Sequence, residues 1–269
     1  MDENVKESHG VQSLEIGIGV LRVLVEAGAP LMLKEIAHAA DIPASKAHRY
    51  MVSLVRVGLV EQDPATSKYD LGPFALNLGL AAVDRLDRVQ LGLESIAQLR
   101  DLTHETTALA VWGDFGPVVI RWERPRRPIT VNVLTGKTVS LVGSATGRVF
   151  CAWMPPTLVH PLIERELKDA RDPELKNMAQ VERALREVRA QGFAFVRESG
   201  YSHGVLGMAA PVFNFKNDIT MAVLIVGIEG VSDLGPESFV RTELKRCAAE
   251  LSKRLGASMQ SDTKNILPS

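Results

Sequence analysis

The chain has 269 residues, 46% of them hydrophobic, and a formal net charge of −1. That apolar content supports one or two buried cores, while the charge balance excludes a non-specific coat for nucleic acid, so any DNA contact must come from a local patch. Cys151 and Cys247 have no paired spacing, the first residues are polar and acidic, and no run of about 18 apolar residues occurs; no disulfide framework, signal peptide or membrane span is expected, and a cytoplasmic protein is.

In chain order, Ser13 can cap a helix whose apolar residues recur as Leu14, Ile18, Leu21 and Leu24/Val25 and which stops at Gly28. A short helix follows over residues 33–40, with Ile36, Ala37 and Ala40 inward. Asp41, Ile42 and Pro43 make a turn too tight for a linker, and a third helix starts beside Pro43 and ends near Gly58. On it Ala47, Tyr50, Met51 and Leu54 share one face, and Ser45, Arg49 and Arg56 cluster on the other, flanked by Lys46, His48 and Ser53. No Asp or Glu lies between Pro43 and Val60. One apolar side and one basic, hydroxyl-bearing side is what insertion into a major groove requires. Residues 59–63 and 68–71 read as a hairpin around Pro64-Ala-Thr-Ser67, a wing that brings Lys68 toward a phosphate. The order defines a winged helix-turn-helix over residues 11–72. The chain's first 88 residues hold more acids than bases, so one module binds weakly and a dimer is expected.

Gly72-Pro73 opens a Leu- and Ala-rich helix, assigned to a linker over residues 73–88 that buries apolar surface against a partner subunit. Residues 89–256 form a second domain. A helix over 89–103 is followed by strands at 108–112, 118–122 and 129–133, and by helices at 145–153 and 178–191. Strands at 193–196, 205–213 and 219–228 precede a last helix over 236–255. Antiparallel strands flanked by helices make this domain α+β.

The motifs Val11-Gln-Ser-Leu-Glu15, Ile42-Pro-Ala-Ser-Lys-Ala-His-Arg-Tyr50, Gly58-Leu-Val60 with Tyr69-Asp-Leu-Gly72, Leu141-Val-Gly-Ser-Ala-Thr-Gly-Arg148 and Gly204-Val-Leu-Gly-Met-Ala-Ala-Pro-Val212 occur in that order. Together they resemble the IclR family of bacterial transcriptional regulators over about residues 11–256. The resemblance implies a GAF-like effector-binding domain behind the winged helix-turn-helix and a dimerising linker. It also implies operator binding as a homodimer or dimer of dimers (a tetramer), modulated by a small metabolite.

The candidate effector residues are Trp112, Ser144, Ala145, Thr146, Gly147, Tyr201, Gly207, Met208, Leu224 and Val226. The Ser144–Gly147 turn opening a helix offers unpaired N–H groups beside hydroxyls, a socket for a carboxylate; the same residues also serve as an N-cap with close packing at the glycines. Trp112 and Trp122 line either a pocket or the core, and Arg121 alternates onto the face opposite Trp122. The segment holding Tyr201, Ser202 and His203 is either a lid or a connection. Where family members that sense small polar acids carry Cys or Ser, this chain has Gly207, Leu224 and Val226, with Met208 and Met221 nearby. Those residues favour a roomier, apolar site for an aromatic or otherwise hydrophobic acid. The rival reading, a repressor fused to an enzyme, lacks a phosphate loop, a nucleophile elbow or a dinucleotide fingerprint. No catalytic residue, metal site or cofactor is expected.

Overall fold

A computed structural model describes residues 10–125, 136, 138–168, 175–197 and 204–257. The expected strand at 129–133, together with Tyr201, Ser202 and His203, lies outside the described residues. The chain divides into two compact units, residues 1–86 and 87–269.

The first unit is built on α1 (Gln12–Ala27), α2 (Leu33–Ala39) and α3 (Ala44–Arg56), then the strands β1 (Val60–Gln62) and β2 (Tyr69–Leu71), and α4 (Pro73–Asp84). Gly28 closes α1 in the left-handed conformation at φ 61°. Helix α1 starts one residue before the expected cap: Val11 occupies the N-cap position without a side-chain bond, and Ser13 lies inside the first turn. Helix α2 is tied at its start by Glu35, whose carboxylate accepts from the Met32 N–H at 2.7 Å. Pro43 stands at the N-cap of α3, and its fixed φ of −57° leads the chain into the helix.

The core of this unit is Val20, Leu24, Ile36, Met51, Leu54, Val60 and Tyr69. The face of α1 differs from the expected one. Gly17, Val20 and Leu24 are buried, whereas Leu14 is 63% and Val25 59% exposed. The reason is Tyr50: its ring packs over Gly17, where a Cβ would already stand 3.4 Å from Cδ1. The wing gains a third strand-like element, since the Leu31 N–H donates to Tyr69 O at 3.0 Å and the Tyr69 N–H to Leu31 O at 2.8 Å. Gly72 is required where the wing leads into α4, because a Cβ there would stand 2.9 Å from the Val60 carbonyl carbon.

Among the described residues, the second unit is a five-stranded antiparallel sheet with helices on both faces. Its elements are α5 (Arg88–Thr103), β3 (Thr106–Gly113), β4 (Gly116–Glu123), α6 (Ala145–Trp153), α7 (Pro156–Lys168), α8 (Met178–Gln191), β5 (Ala194–Arg197), β6 (Val205–Phe213), β7 (Ile219–Ile228) and α9 (Phe239–Arg254). The strand order is β4-β3-β7-β6-β5. Helices α5 and α9 cover one face, and α6 lies on the other with α8 against it. Helix α7 is an addition to the expected elements. Pro161 interrupts its pattern, yet Val159 and Ile163, four residues apart, are both buried. No helix among the described residues is long and apolar enough to cross a membrane.

Candidate DNA interface and effector site

Helix α3 presents two opposite surfaces. Ala47, Met51 and Leu54 are buried, while Ser45, Lys46, His48, Arg49, Ser53 and Arg56 are exposed. All four residues nominated for base contact therefore stand on the solvent side of one helix. The wing is less basic than a phosphate-tracking arm would be. Glu61 and Asp70 are directly paired across β1 and β2, a like-charge juxtaposition that repels a polyanion. Asp63 is spent on the turn, accepting from the Ala65 N–H and the Thr66 hydroxyl at 2.8 Å each, and these bonds hold its carboxyl below its usual range. Lys68 is exposed at the end of this turn, so only the tip of the wing is suited to a phosphate.

In the second unit the sheet face beneath α6 carries most of the effector candidates. Antiparallel pairing sets Gly207 opposite Val226 and Ala209 opposite Leu224, and β3 continues these rows with Thr106 and Ala108. Trp122 pairs with Ala108 on β4. Ala145, at the start of α6, stands over Gly207, 3.8 Å from where a Cβ would be. Farther along α6, Phe150 meets Trp112 with ring centroids 5.7 Å apart. Leu224, Ala108 and Ala209 on this face are buried, whereas Gly207, Val226 and Trp112 are only half-buried. The Trp122 indole Nε1 is buried and has no hydrogen-bond partner among the described residues.

Met208 does not join this group. It alternates with Gly207 and Ala209, pairs with Ile225, and is buried on the opposite face under α9. Arg121 also faces away, paired with Glu123 at 2.9 Å. Met221 belongs to that same far face, next in β7 to Ala222 of the α6 side.

The turn entering α6 is more fully bonded than its sequence suggests. Ser144 caps the helix, its Oγ accepting from the Gly147 N–H at 2.9 Å and donating to Ser140 O at 2.6 Å. Gly147 is obligatory there, since a Cβ would come within 2.5 Å of Leu141 Cα. The Leu141 and Val142 amides donate to Glu166 of α7, and Gly143 N–H donates to Ser140 Oγ. Arg148 turns back on the same turn, its Nε donating to Val142 O at 2.7 Å. The amides of Leu141, Val142, Gly143 and Gly147 are therefore already bonded within the protein. Glu166 was not among the sequence candidates; a carboxylate two dozen residues downstream leaves no local signal. Cys151, on the next turns of α6, is buried, and burial foremost, with the Glu166 charge, pushes its thiol up to about 12. No group of three or more His, Cys, Asp or Glu able to hold a metal occurs among the described residues.

A helix-turn-helix unit with a cation-bearing third helix, joined to a sheet domain with a half-open apolar face, defines a ligand-responsive DNA-binding regulator. Residues 13–64 match the family described as IclR helix-turn-helix domain, and residues 80–253 match that described as bacterial transcriptional regulator IclR C-terminal. The chain belongs to the IclR family of transcriptional regulators, with an N-terminal DNA-binding domain and a C-terminal effector domain. It is 30% identical over 259 residues to the glycerol operon regulatory protein of Streptomyces griseus, covering 93% of this chain and 98% of that one. It is 26% identical over 223 residues to the transcriptional regulator BhcR of Paracoccus denitrificans, covering 82% and 79%. Among solved structures, Pseudomonas aeruginosa HmgR is similar with a TM-score of 0.79 and 34% identity, covering 92% of this chain and 99% of that one. The Agobacterium tumefaciens repressor BlcR shares the fold at TM-score 0.74 and 21% identity, over 94% and 100% of the two chains.

Proposed function

We propose that this protein is a sequence-specific operator-binding regulator whose affinity is set by an aromatic or otherwise hydrophobic acid. Ser45, Lys46, His48 and Arg49 meet base edges or adjacent phosphates in the major groove, while Arg56 and Lys68 meet the backbone. Two protomers read half-sites related by two-fold symmetry, which suits a module that holds more acids than bases. The dimer contact draws on the exposed apolar stripes of α1 and α4, where Leu14 and Leu76 are 63% and 64% exposed.

The effector lies on the sheet face beside the start of α6, between Trp112, Gly207, Leu224 and Val226, with the Ser144–Gly147 turn toward its acid group. The observation that carries this reading is the contrast on one face: Gly207 and Val226 are half-covered while Leu224, Ala108 and Ala209 around them are buried. An apolar floor with a helix N-terminus at its rim suits a ligand with one hydrophobic and one anionic end. Leu224 and Val226 offer no partner to the oxygens of a small acid, at a cost of about 1–3 kcal/mol per lost bond. The Trp122 N–H, without a partner among the described residues, is a donor on this face for an acceptor that a ligand brings.

The test is fluorescence anisotropy with the intergenic DNA upstream of the protein's own gene, titrated with benzoate, 4-hydroxybenzoate, phenylacetate, pyruvate and glyoxylate. Specific binding shifted by an aromatic acid supports the reading. A shift by pyruvate or glyoxylate alone overturns the effector class, and no specific binding overturns the DNA assignment.

A further inference from the structure

Glu166 projects from α7 onto the turn that launches α6. Its carboxylate accepts three hydrogen bonds: from Ser140 Oγ at 2.5 Å, Leu141 N at 2.7 Å and Val142 N at 3.1 Å. Two consecutive amides and a hydroxyl converging on one point form an anion-binding concavity, here filled by the protein's own side chain. Leu141 and Val142 are buried, so their N–H groups require an acceptor.

The bonds continue from this point to the effector rim. Ser140 donates to Glu166 and accepts from the Gly143 N–H, and its carbonyl accepts from Ser144 Oγ, which in turn holds the Gly147 amide. Gly147 packs directly on Ser140 and Leu141. Displacing the carboxylate therefore displaces the first turn of α6, the part that stands over Gly207.

We infer that Glu166 is the positioning residue of the effector site, an internal anion that sets the α6 N-terminus before any effector arrives. The inference rests on the effector reading given above. A carboxylate is needed because only it accepts from all three donors at once, with charge assistance. The amide of Gln keeps one acceptor oxygen and turns an NH2 group toward a backbone N–H, donor against donor.

The full-length protein tests this in three forms: wild type, Glu166→Gln and Glu166→Ala. Calorimetry with benzoate, 4-hydroxybenzoate and phenylacetate reads effector binding, anisotropy reads unliganded operator binding, and melting with sodium formate against equimolar sodium chloride reads the socket. Glu166→Gln is expected to weaken effector binding at least ten-fold while unliganded operator affinity stays within two-fold. Formate, but not chloride, is expected to raise the melting temperature of Glu166→Ala, because it returns a carboxylate to the vacated donors. Wild-type effector affinity in Glu166→Gln overturns the inference and leaves the effector reading intact. If wild type binds none of the three acids, the effector class falls instead, and the formate arm decides the socket: equal melting in formate and chloride overturns it.

Discussion

Arg49 stands on the exposed side of α3 one residue before Tyr50, with Ala47 and Met51 on the buried side. In the proposed reading Arg49 meets base edges, and Arg49→Ala is expected to cost about 1 kcal/mol or more of specific binding, near five-fold in Kd. An operator titration checks it, and melting of the variant should match wild type because the side chain touches no core. Gly147 is governed by packing rather than chemistry. A methyl group there meets backbone on the Ser140–Leu141 side that has no room to withdraw. Gly147→Ala should destabilise the effector domain by about 1–3 kcal/mol, the usual cost of overpacking, read as a lower melting temperature. The cysteines show a pH effect of definite sign. Burial foremost, with the charges of Glu166 and Glu250 respectively, raises the thiols of Cys151 and Cys247 to about 12. An unfolded thiol titrates near 9, so the folded state holds its proton more tightly. Stability is full below pH 9 and is lost as pH rises from about 9 toward 12. Urea midpoints at pH 8 and pH 10.5 should differ in that direction, and iodoacetamide should leave both thiols unmodified in the native protein at pH 8.

At the scale of elements, α1 is instructive. Its apolar residues recur on two faces, one through Gly17, Val20 and Leu24 and one through Val11, Leu14, Ile18 and Val25. Periodicity announces both stripes but cannot say which meets the core, and the longer side chains of the second make it the louder signal. Tyr50 decides the matter by packing on Gly17, leaving the second stripe exposed. The stripe runs at spacings of three, four and seven residues, as helix pairing demands. Leu14→Glu with Ile18→Glu is expected to weaken dimerisation and lower operator affinity by ten-fold or more without unfolding the unit, checked by sedimentation and anisotropy. Helix α7 was hidden for the opposite reason. Pro161 breaks the local pattern, and what holds the helix is the burial of Val159 and Ile163 against elements distant in sequence.

Across the whole molecule, the proposed function has an effector on the α6 face change operator affinity at α3, and a coupling free energy of about 1–3 kcal/mol, or roughly 5- to 150-fold, is expected. Anisotropy with saturating effector measures it directly, and by reciprocity operator DNA must change effector affinity by the same factor. The order of the elements of the first unit, the two faces of α3, the cap at Ser144 and the boundaries of α6, α8, β6 and β7 were legible in the chain itself. Each depends on neighbours within a few turns: helical period, strand alternation, a glycine or a capping hydroxyl. Tertiary structure alone decided the buried face of α1, the Leu31 strand beside the wing, the withdrawal of Met208 and the arrival of Glu166 at the α6 turn. These depend on which distant segment reaches a surface first, and on register, where one residue's shift turns a side chain from one face of a sheet to the other. No local pattern carries that information, because the same apolar stripe or the same carboxylate is equally compatible with solvent, a core or a partner.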